Sequence, residues 1–195
     1  SWEDLSAFRP LWVEDELAQH PGLADATRYH LRLELADDLR GASGRLKVRF
    51  TNRQEHSLSE LPFVCFPNLV GGALEVESVT VAGSPAEAQL RRARSLLAVP
   101  LPEGLAPGKR IEIGFEYTLR VPPPGSGESG VLAFRDGVLS LAYAYPTVPA
   151  PDAWDHPPPP RYGDFVTNEA AFYAVEVSAP EEVVLVLPGL ELGRR

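Results

Sequence analysis

Four histidines, one cysteine and no methionine limit the chemistry open to this 195-residue chain. A zinc hydrolase commonly presents two histidines as His-Glu-x-x-His, because positions i and i+4 lie one helical turn apart. His20, His30, His56 and His156 are scattered, and none is followed by Glu. His30 falls on the polar side of a predicted strand, and His20 and His56 fall in polar loops, so these three read as solvent-facing. His156 sits among Asp152, Trp154, Asp155 and Tyr162. Two readings are open there: a loop ligand site, or a proline-stiffened loop whose aromatics pack onto a sheet. Cys65 lies in an apolar stretch with no base offered nearby and reads as a buried structural thiol. A single cysteine also excludes an internal disulfide framework and a cysteine-based zinc cluster.

Other familiar constellations are missing or misplaced. There is no Gly-x-Ser-x-Gly elbow and no phosphate-cradling Gly-x-x-x-x-Gly-Lys. Gly125-Ser-Gly127-Glu-Ser-Gly130 matches a dinucleotide-binding spacing. Three prolines precede it and an apolar strand follows, so no helix N-terminus would face a pyrophosphate. Asp37-Asp38 and Glu181-Glu182 fall in predicted turns and read as solvated charge. The aromatics Tyr143, Tyr145, Trp154, Tyr162, Phe165, Phe172 and Tyr173 gather in the last third of the chain. They could form a platform for carbohydrate or peptide, or could be core; Tyr143, Tyr145 and Trp154 are the candidate binding residues.

The elements that must position these residues are mostly strands. Only residues 3–19 read as helical, interrupted by Pro10 and ended before Pro21, with Trp2, Phe8, Leu11, Trp12 and Leu17 as apolar anchors. From Arg28 the period becomes two: Tyr29, Leu31, Leu33 and Leu35 alternate with His30, Arg32 and Glu34. Gly41 to Gly44 reads as a turn, followed by an antiparallel partner carrying Leu46, Val48 and Phe50. Residues 61–66 are apolar on both sides and read as an interior strand. Val76, Val79 and Val81 follow with a break at Glu77-Ser78 that reads as a bulge, and Gly83-Ser84-Pro85 turns the chain. Leu96–Leu101 is a further strand and Pro102–Gly108 a loop.

The cleanest alternation covers 111–121, with Ile111, Ile113, Phe115, Tyr117, Leu119 and Val121 on one face. Asp136-Gly137 between two apolar runs is the signature of a two-residue hairpin. Residues 146–163 read as irregular, and strands are expected at 170–178 and 182–187. About ten short strands at this spacing predict a mainly β fold, an antiparallel β-sandwich or large twisted saddle-like sheet with a short N-terminal helical segment. The expected organisation is a helical lead-in over 1–24, one β domain over 25–190, and the start of a linker at 191–195.

Composition narrows the partners. Eighteen basic residues stand against 27 acidic ones, a net charge of −9, and such a surface repels nucleic acid and anionic membranes. No run approaches the roughly 18–20 apolar residues that span a bilayer. No basic stretch with an apolar run opens the sequence, so no leader is expected in it. The compartment is left open.

The order of the strands carries a resemblance. Tyr29-His-Leu-Arg-Leu-Glu-Leu, followed by Gly44-Arg-Leu-Lys-Val-Arg-Phe-Thr-Asn52, resembles the opening strands of the aminopeptidase N-like gluzincin zinc peptidases. Leu61-Pro-Phe, Val76-x-x-Val79-x-Val81-x-Gly83, Leu96 through Leu101-Pro102 with Gly108, and Ile111-x-Ile113-x-Phe115 follow in the same order. Trp154, then Gly163-Asp164-Phe165, Phe172 and Val175-x-Val177-x-x-Pro180, looks like a stretch of the bacterial members. The similarity spans about residues 25–190.

That resemblance implies an N-terminal, non-catalytic, saddle-shaped β domain covering the active-site cleft of the zinc-bearing domain that follows. The family's His-Glu-x-x-His and Gly-x-Met-Glu-Asn motifs belong to that next domain, and neither occurs here. The chain is therefore expected to bind no cofactor and to hydrolyse nothing by itself, zinc belonging to the absent catalytic domain. Its expected partners are that domain and the parent's peptide substrate. In many members a Gln or Glu of the N-terminal domain holds the substrate amino group. The corresponding stretch, Leu139–Pro146, has neither, so no such residue is carried over. The competing expectation is a stand-alone β-sandwich binding module for carbohydrate or protein.

Overall fold

A computed structural model describes Ser6 and residues 21–123, 130–151, 154 and 168–194. Apart from Ser6, the helical lead-in expected at 3–19, together with His20, His156, Tyr162 and Phe165, lies outside the described residues; Pro21–Asp25 forms a 3-10 turn. Among the described residues eleven strands follow: β1 (Thr27–Leu35), β2 (Gly41–Thr51), β3 (Leu58–Val64), β4 (Ala73–Val81), β5 (Ser84–Pro85), β6 (Gln89–Arg91), β7 (Leu96–Leu105), β8 (Arg110–Arg120), β9 (Leu132–Arg135), β10 (Val138–Leu141) and β11 (Ala171–Ser178). They make a six-stranded sheet in the order β11-β1-β2-β8-β4-β5, a three-stranded sheet β3-β7-β6, and the hairpin β10-β9. The mainly β, sandwich-like fold matches the periodicity of the sequence. Every strand pair is antiparallel except β1 with β11.

The alternation becomes a core directly. Tyr29, Leu31, Leu33 and Leu35 of β1, Leu46, Val48 and Phe50 of β2, and Ile113, Phe115, Tyr117 and Leu119 of β8 are buried in one cluster with Leu61 and Phe63 of β3 and Val99 of β7. The two sheets meet at Phe63 and Phe115, whose rings lie 4.8 Å apart and 70° to each other. Each such side chain contributes about 1.5–3 kcal/mol by leaving water. β4 shifts register between Val76 and Ser78, the bulge the sequence announces. Asp136 (φ 51°) and Gly137 (φ 80°) form the left-handed pair that a two-residue hairpin requires.

Several expectations are corrected. Gly41–Gly44 is not a turn but the first part of β2. The reversal is made by Asp37–Arg40: the Asp38 carboxylate accepts from the Arg40 amide at 2.8 Å, and Leu39 takes φ 52°. Residues 102–105 continue β7 instead of forming a loop. The expected strand at 182–187 is absent: after Pro180 the chain turns (Val183 N–H to Pro180 C=O, 3.0 Å) and runs on unpaired. A strand exists only through a neighbour that takes its amides and carbonyls, and no ladder partner reaches this segment among the described residues. Residues 61–66 are buried as expected, yet β3 ends its sheet. Its outer side is covered by a loop, Val64 and Thr147 exchanging backbone bonds of 2.7 and 3.1 Å.

The parallel edge strand β11 is fastened by side chains as well as by its ladder. His30 is not a solvent-facing residue; its ring is largely covered, and Nε2 lies 2.6 Å from Glu176 Oε1. Arg32 Nε donates to the same oxygen at 3.0 Å. The His30 contact first, and the Arg32 bond next, hold the Glu176 carboxyl below its usual 4.5. A lowered folded-state pKa stabilises above the unfolded value and is lost as pH falls through the folded one. Glu176→Gln should therefore cost about 0.5 kcal/mol at neutral pH, the scale of an exposed pair. The gap from the parent should close as denaturation is repeated at pH values progressively below about 4.5; a gap that persists in acid would show that the ion pair is not its source.

Candidate functional site

The candidate binding residues lie on the segment between β10 and β11, of which the sequence leaves only 146–163 irregular and which the sheet pins at several points. Ala142 N–H donates to Val131 C=O at 2.8 Å. Tyr117, inward on β8, sends its hydroxyl to Ala144 C=O at 3.0 Å. Tyr29, inward on β1, accepts from the Val148 amide at 3.0 Å. Trp154 Nε1 donates to Pro149 C=O at 3.1 Å. A tyrosine on an inward face buries a ring but must find its hydroxyl a partner; here those partners are the loop's own backbone. Two core tyrosines thus set the path of residues 142–150.

The three candidates are not gathered into one platform; each meets different rings. Tyr143 takes φ 54°, an uncommon conformation for a bulky residue. Its ring sits 5.1 Å from Phe66 and is 37% exposed. Tyr145 points into a tyrosine cluster, 6.0 Å from both Tyr29 and Tyr173, which stack on each other at 4.8 Å. The Tyr145 and Tyr173 hydroxyls are hydrogen-bonded to each other. Trp154 packs against Phe50 at 6.5 Å.

Burial, the dominant cause in each case, pushes the phenols of Tyr29, Tyr117, Tyr145 and Tyr173 up. They act as neutral hydrogen-bonding groups, and an acid–base role at neutral pH does not suit them. Tyr29 and Tyr117 are the members that sequence reasoning missed. The legible signal was a tyrosine on the buried side of a regular alternation.

Among the described residues no three His, Cys, Asp or Glu side chains come together as a metal-binding group. Cys65 is fully buried, and burial pushes its thiol up to about 12. Such a group is inert as a nucleophile. A disulfide reagent at pH 8 should leave it unlabelled in the native chain and modify one thiol per chain in denaturant; rapid native labelling would show an opening that this packing does not contain.

No protein-family model matches the chain, and no curated protein is similar to it. Similar folds occur among solved structures. An M1 zinc metallopeptidase from Deinococcus radiodurans is 20% identical with a TM-score of 0.42, the match covering 52% of this chain and 21% of that one. A point mutant of that peptidase bound to a Tyr-Ser-Ala substrate gives 20% identity and a TM-score of 0.47 over 60% of this chain and 26% of that one. Native yeast LTA4 hydrolase gives 16% identity and 0.37 over 51% of this chain and 14% of that one. The chain thus spans about a quarter or less of the length of these structures.

Proposed function

We propose that this chain is the non-catalytic β cover of a zinc metallopeptidase of the aminopeptidase N-like kind. It walls one side of the active-site cleft of a catalytic domain in the same polypeptide, and so limits which peptides enter. The strand order of residues 25–190 supports this reading. The observation that carries it is the segment after β11. Val184 and Val186 are 87% and 89% exposed, and Leu187, Leu190 and Leu192 are exposed with them. An apolar run of this kind on a chain of net charge −9 marks a surface meant to be covered. In this reading the catalytic domain packs against that run, residues 191–195 lead towards it, and Tyr143, Tyr145 and Trp154 border the peptide.

The test is to compare the 195-residue chain with the polypeptide its gene encodes. The longer product should bind one zinc per molecule and hydrolyse aminoacyl or peptidyl substrates, and Val184→Asp with Val186→Asp should weaken its interdomain packing. The 195-residue chain should do neither chemistry. Stoichiometric zinc with hydrolysis by the short chain, or a reading frame that stops after Arg195, removes the proposal. In the second case, glycan or protein capture through the exposed Tyr143 ring would favour a stand-alone binding module.

A further inference from the structure

The segment after β11 leaves more than side chains uncovered. Val183–Leu187 is an unbroken apolar run between Glu182 and Pro188. Val183 gives its amide to Pro180 C=O within the turn. In a ladder only alternate residues bond a given neighbour. The residues left to bond one are therefore Val184 and Val186, and no backbone group among the described residues bonds them. The same two residues have the most exposed side chains of the run. An apolar edge with no charge, proline or bulge inside it is a template for a further strand.

The residue order fits a second copy of itself. A two-fold axis at Leu185 runs two such segments antiparallel. It sets Val184 opposite Val186 of the second copy, and Val186 opposite Val184. Both rungs can exchange two backbone bonds, and both bring β-branched side chains together. Leu185 meets its own counterpart at the rung between, where Cα atoms approach to about 4.5 Å.

Charge and proline select this register. Glu182 falls opposite Pro188 and Glu181 opposite Gly189, so the acids of the two copies stay apart. A parallel pair in register would set Glu181 and Glu182 against their own counterparts, and like charges directly opposite destabilise a sheet. A shift of two residues one way puts Glu182 opposite Val186. The same shift the other way puts Pro188, which has no amide to give, opposite Val184. A shift of one residue turns the exposed valines against the other side of the strand.

We propose that the 195-residue chain pairs with a second copy of itself through Val183–Leu187, antiparallel about Leu185. A ladder this short is a small interface, at the low end of specific contacts (about 1,200 Å² or less), so the dimer is weak and concentration-dependent. The proposal goes beyond the function proposed above. There a domain of the same polypeptide packs against the run, and the two occupants exclude each other.

Sedimentation equilibrium of the intact 195-residue chain should show a reversible monomer–dimer equilibrium. Val184→Lys with Val186→Lys should weaken it roughly tenfold or more, because each bonded rung then opposes like charges. Val184→Lys with Val186→Glu should restore the dimer, since the register sets Lys against Glu on both rungs, and should make it salt-sensitive. Under mild oxidation Leu185→Cys should cross-link two copies, its rung lying within disulfide reach. Glu181→Cys should not, and the parent, whose Cys65 is buried, should stay uncross-linked. Each position is on the exposed segment, and circular dichroism should report an unchanged fold. A monomer at every concentration, a dimer undiminished by the double lysine, no recovery in the Lys–Glu variant, or Glu181→Cys cross-linking as readily as Leu185→Cys would each overturn the proposal.

Discussion

Gly44→Val should cost about 3 kcal/mol or more, the upper range for forcing a side chain into a filled core. Gly44 lies mid-strand on β2, directly opposite Tyr117 on β8. A Cβ built on it would stand 2.2 Å from Tyr117 Cζ and 2.5 Å from its hydroxyl oxygen. The ring cannot swing aside cheaply, because Tyr117 is 1% exposed and its hydroxyl is bonded to Ala144 C=O. The glycine is therefore the seat of an aromatic ring that spans it. Displacing the ring would also release Ala144, and with it the anchor of Tyr143 and Tyr145. Urea denaturation measures the loss. The decisive control is Tyr117→Leu, in whose background Gly44→Ala should cost far less than in the parent, since residues in contact do not act additively. Equal costs in both backgrounds would show that the ring is not what the glycine accommodates.

Asn52→Ala should cost about 2–4 kcal/mol, because it leaves three backbone groups without their partner, the Leu105 carbonyl among them buried. Asn52 is 0% exposed. Its Nδ2 donates to His56 C=O at 2.9 Å and to Leu105 C=O at 2.7 Å, and its Oδ1 accepts from the Gln54 amide at 2.9 Å. Its own backbone bonds Lys109 and Gly108. The side chain thus ties the loop after β2 to the end of β7, and the backbone of the same residue ties it to the turn before β8. For a chain of this length the loss corresponds to a drop in melting temperature of roughly 5–15 °C. Hydrogen exchange should accelerate first at residues 53–57 and 106–109. Asn52→Asp, nearly the same shape, should also be strongly destabilising, because it removes the donors and buries a charge. A variant as stable as the parent would refute this account.

Much of the architecture was legible in the residue pattern. Strands β1, β2, β4 and β8 announce themselves because a half-buried strand must alternate, and Asp136-Gly137 announces its hairpin because few residue pairs accept two positive φ angles. Gly41 and Gly44 misled for an equally physical reason. Glycine serves both turns and close approaches, and only the facing strand reveals which. The 182–187 segment misled because β propensity describes a surface that fits a sheet, not the presence of a neighbour. The aromatic positions were visible, but their grouping was not. Tyr145 joins Tyr29 and Tyr173 through strand pairing across more than a hundred residues, and no local spacing encodes that.

By itself, then, the sequence determined the class of fold, the inward faces of the strands, the inertness of Cys65 and the scattering of histidines away from any zinc motif, because each follows from residue type and short-range period. The tertiary structure alone decided that β11 joins β1 in parallel and that two core tyrosines steer residues 142–150. It also decided that Val184 and Val186 lie uncovered. Those features depend on which strands become neighbours, and that choice is made by burial of the whole core, not by any one stretch of chain.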